Sequence, residues 1–246
     1  MKNHRINVFR LALSCGYYLR LQYLLLVSML LLTTPVYACY DIPPPIVLDT
    51  PMMSYVYTAN MLDSVVMGRH FKKNAGPKFS TIAQGKGNAE VTAHALAQRM
   101  PAAQRKEVEQ AFIGSFVTYQ KLEKQLGIPK NDMAGALSAY LVGNYEAFHN
   151  TTLPESHVKQ LVGQMRGALA SNPALKNATL SQKREFYEQM AIVGTFMVLA
   201  QAEIKNGKQP PNVKENFRNT AKANLEQFFK KSIDKIDIGA SGLKIR

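Results

Sequence analysis

The residues best suited to chemistry are Glu146 and His149, which lie three positions apart in a stretch with helical periodicity. A carboxylate and an imidazole at this spacing are the ligands that di-iron helical bundles point into their core. Such a centre needs a second Glu–His pair and two further carboxylates, but Glu185 and Glu188 have no histidine at the matching offset. We therefore predict neither a metal site nor a cofactor, and interpret His149 as a cation at the end of a helix.

Other catalytic signatures in the sequence are incomplete. Gly85-Lys86-Gly87 follows no apolar strand and lacks the Gly-Lys-Ser/Thr sequence of a phosphate-binding loop. The chain contains no Gly-x-Ser-x-Gly nucleophile motif and no two histidines three or four residues apart on a helix. The sequence therefore indicates no hydrolase or redox activity, because it offers no activated nucleophile.

A more informative feature is a group of polar side chains that fall within or beside apolar helical stripes. Its members are Asn144, Tyr145, Glu146, Tyr187 and Glu188. Buried polar atoms cost about 1–3 kcal/mol each when unpaired, so these side chains should find partners. We predict a hydrogen-bonded network that fixes helix register, with Arg184 pairing with Glu188 one turn away. The alternative is an enzyme or small-ligand site around Tyr145, Glu146 and Glu188, and the residues alone leave both hypotheses open.

The elements that position this group are helices. From residue 88 to about 235 the apolar residues recur at three- and four-residue steps, and no alternating strand pattern of useful length interrupts them. Asn88 and Asp132 are suitable N-caps, Thr179 and Gln182 have capping-box spacing, and Gly127 can supply a left-handed C-terminal cap. The predicted fold class is all-α.

The packing of these helices is indicated by two patterns. Residues 190–200 are apolar on almost every side, so the helix over about 180–206 should lie at the centre of the fold. Gly135, Ala139 and Gly143 form a row of small residues, which predicts the close approach of a second helix backbone. We therefore expect an irregular bundle of five to seven helices around a central apolar helix.

The N-terminus has the features of a bacterial export signal in their usual order. Four basic residues precede an apolar run over 23–32, and small residues lead to Ala38. About ten apolar residues are too few for a spanning helix, which needs ~20, so we expect residues 1–38 to be removed as a signal peptide, leaving no transmembrane helix. Cys39 also completes an imperfect lipobox, with bulky Tyr37 inside it. The mature protein is thus predicted to be periplasmic or secreted, or alternatively lipid-anchored through Cys39.

The helical domain, 88–235, is flanked by two segments with less pattern. Residues 39–87 contain many Pro and Gly residues and are predicted to form a spacer, with a short docked helix at 52–67. Residues 236–246 are predicted to form a loose basic tail.

Charge is the surface feature that points to a partner. The net charge is +13, and residues 1–38 carry four of the 30 Lys and Arg and none of the 17 acidic residues, so their removal leaves +9. Lys214, Arg218 and Lys222 repeat every four residues and should form one basic ridge. The ridge is either an ordinary solvated face or a surface that binds anionic envelope components or another envelope protein, and the sequence does not identify the partner. We do not expect nucleic acid, because the ridge lacks interleaved aromatic residues.

Several blocks of sequence occur in the order and spacing of one bacterial protein family. They are LAQRMP at 96–101, LGIPKNDMA at 126–134, GNYE at 143–146, QMRGAL at 164–169 and YEQMAIVG at 187–194. On these blocks, residues 92–205 resemble the domain-of-unknown-function family DUF6683. The resemblance implies an exported helical domain without an assigned activity, and it carries over no catalytic residues.

The sequence therefore predicts an exported helical protein that serves as a non-enzymatic binding or interaction module of the bacterial envelope or secretome. The alternative remains an enzyme or small-ligand binder whose site lies around Tyr145, Glu146 and Glu188.

Overall fold

The structure, a computed structural model, describes residues 79–207 and 210–246. The predicted signal peptide 1–38, Cys39, the short docked helix at 52–67 and most of the spacer 39–87 lie outside the described residues.

The described residues form seven α-helices and one β-hairpin. The helices are α1 (Ala89–Ala97), α2 (Arg105–Gln125), α3 (Met133–His149), α4 (Glu155–Ala170), α5 (Pro173–Asn177), α6 (Leu180–Asn206) and α7 (Pro211–Phe229), and the hairpin strands are β1 (Ile236–Gly239) and β2 (Gly242–Ile245). The helices pack against each other, which confirms the predicted all-α bundle of five to seven helices. In the part of the chain that the structure describes, no helix combines the length and the apolarity needed to cross a membrane.

Local signals in the sequence set the helix ends. The Asn88 side chain accepts the Val91 N–H at the start of α1, and the Asp132 carboxylate accepts the Ala134 N–H at the start of α3. Thr179 and Gln182 form the predicted capping box of α6. Gly127, just past the end of α2, has a φ of 68°, a left-handed conformation that glycine adopts without strain.

The core is organised by the crossing of α3 and α6. An ideal Cβ placed on Gly143 would lie 2.3 Å from the carbonyl oxygen of Gly194, and one placed on Gly194 would lie 2.3 Å from the backbone nitrogen of Tyr140. The two backbones therefore touch, which confirms the close approach predicted from the row of small residues. Around this crossing, α6 also packs against α1 and α2, and α3 also packs against α4 and α7.

Residues 236–246 form an ordered hairpin, so the predicted loose tail is wrong. Strands β1 and β2 pair antiparallel, with Ile236 opposite Ile245 and Ile238 opposite Leu243. These four side chains are buried, and the hairpin packs on α4. Each strand contributes only two inward apolar residues, a pattern too short to distinguish from chance in the sequence.

Candidate functional site

The five residues of the predicted polar group occupy separate environments. Asn144 is fully buried and links α3 to α7, since its carbonyl oxygen accepts a hydrogen bond from the Asn224 amide (2.8 Å) and its own amide donates to the Tyr140 carbonyl (2.8 Å). The Tyr140 hydroxyl donates back to the Asn224 carbonyl at 3.2 Å. This closed set of bonds fixes the register of α3 against α7.

Tyr145 turns toward the hairpin. Its hydroxyl donates to Asp237 Oδ1 at 3.2 Å and accepts a hydrogen bond from the backbone of Ile238, and burial raises the pKa of the hydroxyl. The His149 ring lies against the Tyr145 ring, with 4.3 Å between centroids. Tyr145 therefore holds β1 on α3.

Glu146 faces the loop between α3 and α4. The Leu153 N–H donates to its Oε1 at 2.6 Å, and the ammonium group of Lys205 lies close enough to interact with the carboxylate. Burial raises the pKa of Glu146 in spite of these two favourable contacts. The carboxylate of Glu146 is 7% exposed, and its hydrogen bond with Leu153 holds the loop against α3.

Tyr187 belongs to a buried network whose other members the sequence did not predict. Its hydroxyl lies 3.3 Å from both carboxylate oxygens of Glu123, and Glu123 Oε1 also accepts the Asp132 N–H at 3.2 Å. Burial raises the pKa of both Glu123 and Tyr187. The second Asp132 oxygen pairs with the guanidinium of Arg166, and the first accepts the Thr81 hydroxyl at 2.7 Å. The network joins α2, α3, α4 and α6 to the segment before α1.

Glu188 lies in a third environment, between α6 and α1. Its carboxylate accepts hydrogen bonds from the Thr92 hydroxyl (2.7 Å) and from Arg184 Nε (2.8 Å), which confirms the predicted Arg184–Glu188 pair. Gly87 lies directly over this ion pair, because an ideal Cβ there would come within 2.3 Å of both side chains. The pair is sealed beneath the segment that leads into α1.

Glu188 and Glu146 lie at opposite ends of the contact between α3 and α6. Gln201 on α6 donates a hydrogen bond to the side chain of Asn150 at 2.8 Å. This part of α6 therefore lies near the C-terminal end of α3. At 1.5 Å per residue, the helix between Glu188 and Gln201 is on the order of 20 Å long. The structure therefore does not bring Tyr145, Glu146 and Glu188 to one site.

A groove lies where the C-terminal ends of α3 and α6 meet the first turns of α7. Its volume is about 720 Å³, within the usual range for small-ligand sites. Three basic side chains line it, Lys205, Lys214 and Arg218, together with the carboxylate of Glu215 and the imidazole of His149. Its other lining residues are Ala147, Phe148, Asn150, Gln201, Ile204 and Pro211.

The predicted basic ridge borders this groove. Lys214 and Arg218 are exposed and line it, whereas Lys222 lies one turn beyond Arg218 on α7 and pairs with Glu226 at 2.7 Å. Arg218 Nε donates to the Phe148 carbonyl at 3.1 Å, and its guanidinium lies over the Phe148 ring. Two of the three ridge residues thus present charge to the groove.

The side chains that could ligate a metal are scattered over the described part of the chain. Within residues 79–207 and 210–246, no three His, Cys, Asp or Glu side chains cluster so that they could hold a metal ion. Glu146 and His149 face different surroundings, the loop before α4 and the groove, respectively.

The fold and this geometry define an all-α domain whose apolar core contains hydrogen-bonded polar clusters and which has a partly basic groove at one end. The chain belongs to DUF6683, a family of unknown function, whose model matches residues 66–246. This match confirms the resemblance and extends it beyond residues 92–205 to include α7 and the hairpin. No curated protein and no solved structure shows a significant match.

Proposed function

We propose that this chain is an exported, non-enzymatic binding module that acts on an anionic component of the bacterial envelope. The observation that carries the proposal is the groove at the end of α3, where Lys214 and Arg218 face a concave surface of ligand-binding size. Electrostatic attraction to an anionic surface contributes about 1 kcal/mol per basic side chain, so a few such residues give a weak, salt-sensitive association.

The contacts of the polar group support a binding role over catalysis. Glu146, Tyr187 and Glu188 each accept or donate hydrogen bonds that join one helix to another element. A catalytic site needs its acid, base and electrophile within reach of one reacting atom. These side chains instead hold separate parts of the fold in register.

Export rests on the leader at 1–38, and mass spectrometry tests it. Intact protein recovered from the envelope or medium of an exporting host should begin at Cys39. A mass matching the bare chain from Cys39 indicates simple cleavage, whereas added acyl mass indicates a lipid anchor. Recovery of the chain with Met1 to Ala38 still attached would contradict export.

Binding to an anionic surface can be tested by co-sedimentation with vesicles. We expect the protein to sediment with phosphatidylglycerol vesicles at low salt and not with phosphatidylcholine vesicles. Lys214→Glu reverses one groove charge and should lower the affinity about thirtyfold, since it removes one favourable contact of ~1 kcal/mol and adds a repulsive one of about the same size. Lys121→Glu makes the same charge change on the exposed face of α2, away from the groove, and is the matched control. Equal losses in the two variants would mean that total charge, and not the groove, governs binding.

A further inference from the structure

The groove contains one cation that is held in place, Arg218, and one that is exposed and flexible, Lys214. Lys214 and Arg218 are one helical turn apart, which places their side chains about 5–6 Å from each other at Cβ, close enough to share one oxyanion. The Phe148 carbonyl and ring hold the Arg218 guanidinium in place through Nε, and an arginine has four further N–H donors on its terminal nitrogens. An oxyanion in the groove would therefore meet donors already positioned for it.

The same groove has an apolar part. Ala147, Phe148, Ile204 and Pro211 line it beside the charged residues. A bare inorganic anion would leave this apolar surface in contact with water, whereas an anion that carries an apolar group would cover it. The lining thus favours an amphipathic ligand.

His149 adds a group whose charge changes near neutral pH. Burial and the neighbouring Arg218 lower its pKa, while Asp237 on β1 acts in the opposite direction. The other titratable or charged groups around it and along the groove are Tyr145 and Glu146 on α3, Lys205 on α6, and Lys214 and Glu215 on α7. A bound anion would favour the imidazolium form, so that by linkage acidification would strengthen binding.

We propose that the groove is a site for a phosphodiester that carries an apolar group, with Lys214 and Arg218 holding the oxyanion and His149 donating to it when protonated. This inference rests on the proposed function and specifies its ligand. A phosphodiester keeps one negative charge across the range in which histidine titrates, so any change in affinity with pH belongs to the protein.

The test uses protein purified from the exporting host and three probes: dihexanoyl phosphatidylglycerol, which has both the phosphodiester and apolar chains, dimethyl phosphate, which lacks the chains, and phosphatidylglycerol vesicles. The first probe should bind more tightly than the second and should raise the pKa of His149 in an NMR titration. Its affinity should increase several-fold between about pH 8 and about pH 5.5.

Variants separate the roles of the residues. Lys214→Gln should weaken binding about fivefold at both pH values, because it removes one of the charges that hold the oxyanion. The variant should still fold, because Lys214 is exposed. His149→Gln should lose most of the dependence of binding on pH, and Lys121→Gln should behave as wild type. An NMR spectrum of each free variant verifies that it is folded.

The outcomes distinguish this inference from the proposed function. The phosphodiester site would be overturned if the protein bound vesicles, but the short-chain lipid did not raise the pKa of His149 and bound Lys214→Gln as tightly as wild type. The surface role of the module would then still stand. Absence of binding to all three probes would overturn both. Binding of dimethyl phosphate as tight as that of the short-chain lipid would refute the apolar part of the site.

Discussion

Because the backbones at Gly143 and Gly194 are in contact, we predict that adding a side chain at Gly143 lowers the stability of the fold. In Gly143→Ala the new methyl group would lie 2.3 Å from the Gly194 carbonyl oxygen, where ordinary contacts begin at 3.4 Å. The methyl carbon is bonded directly to the α3 backbone and the oxygen belongs to the α6 backbone, so the clash can be relieved only if α3 and α6 move apart. An opening of about 1 Å forfeits roughly half of the dispersion energy of each contact across the crossing.

The magnitude follows from two opposing effects. Overpacking of a close contact costs about 1–3 kcal/mol, and the crossing of two central helices should fall near the upper end of that range. Alanine is more favourable than glycine inside a helix by about 1 kcal/mol. We therefore expect a net loss of about 1–2 kcal/mol, which for a domain of this size lowers the melting temperature by about 2–8 °C.

Gly163 provides a control on α4 within the same chain. An ideal Cβ there meets no atom within 4 Å, so Gly163→Ala should gain helix propensity and raise stability by about 0.5–1 kcal/mol. Thermal unfolding followed by circular dichroism compares the two variants with wild type. If Gly143→Ala raises the melting temperature as Gly163→Ala does, the two helix backbones are not in contact.

Three further predictions concern the polar contacts. Glu146→Gln keeps an oxygen that can accept the Leu153 N–H and should unfold in urea at nearly the wild-type concentration, whereas Glu146→Ala leaves that donor unpaired and should lose about 1–3 kcal/mol. Burial raises the pKa of Glu123, so wild type should have its largest stability advantage over Glu123→Gln below the ordinary glutamate pKa. This advantage should disappear as the pH rises through the raised pKa. Urea unfolding midpoints of the two proteins, measured across the pH range, test this. The side-chain amide of Gln164 accepts the Leu243 N–H (2.7 Å) and donates to the Leu243 carbonyl (2.9 Å). Gln164→Ala removes both hydrogen bonds, so hydrogen exchange at the Leu243 amide should accelerate. Unchanged exchange would mean that the hairpin does not depend on α4.

The sequence predicted the helices and their ends well because those signals are local. A cap such as Asp132 accepts an amide two residues away, and the Thr179 capping box spans three. The close approach at Gly143 was also accessible, since a row of small residues on one face of a helix leaves space that a second backbone can fill.

The partners of the buried polar residues could not be predicted, because they lie far away in the chain. Tyr187 bonds to Glu123 across 64 positions, and Glu188 bonds to Thr92 across 96. Glu123 follows Tyr119 by four residues on the buried face of α2, where apolar side chains are expected. A charged residue at a stripe position is the signal that could have revealed this network.

The groove likewise depends on three helix ends that only the fold brings together, and its charges divide into two kinds. The ammonium group of Lys205 donates to the Thr151 carbonyl (2.8 Å) and to the Thr152 hydroxyl (3.1 Å), and it lies near the buried Glu146 carboxylate. Its charge is therefore largely committed to holding the loop after α3. The positive potential that a ligand would meet comes from Lys214 and Arg218, against the carboxylate of Glu215. Changes at Lys205 should accordingly alter folding stability, and changes at Lys214 should alter binding while the fold stays as it is.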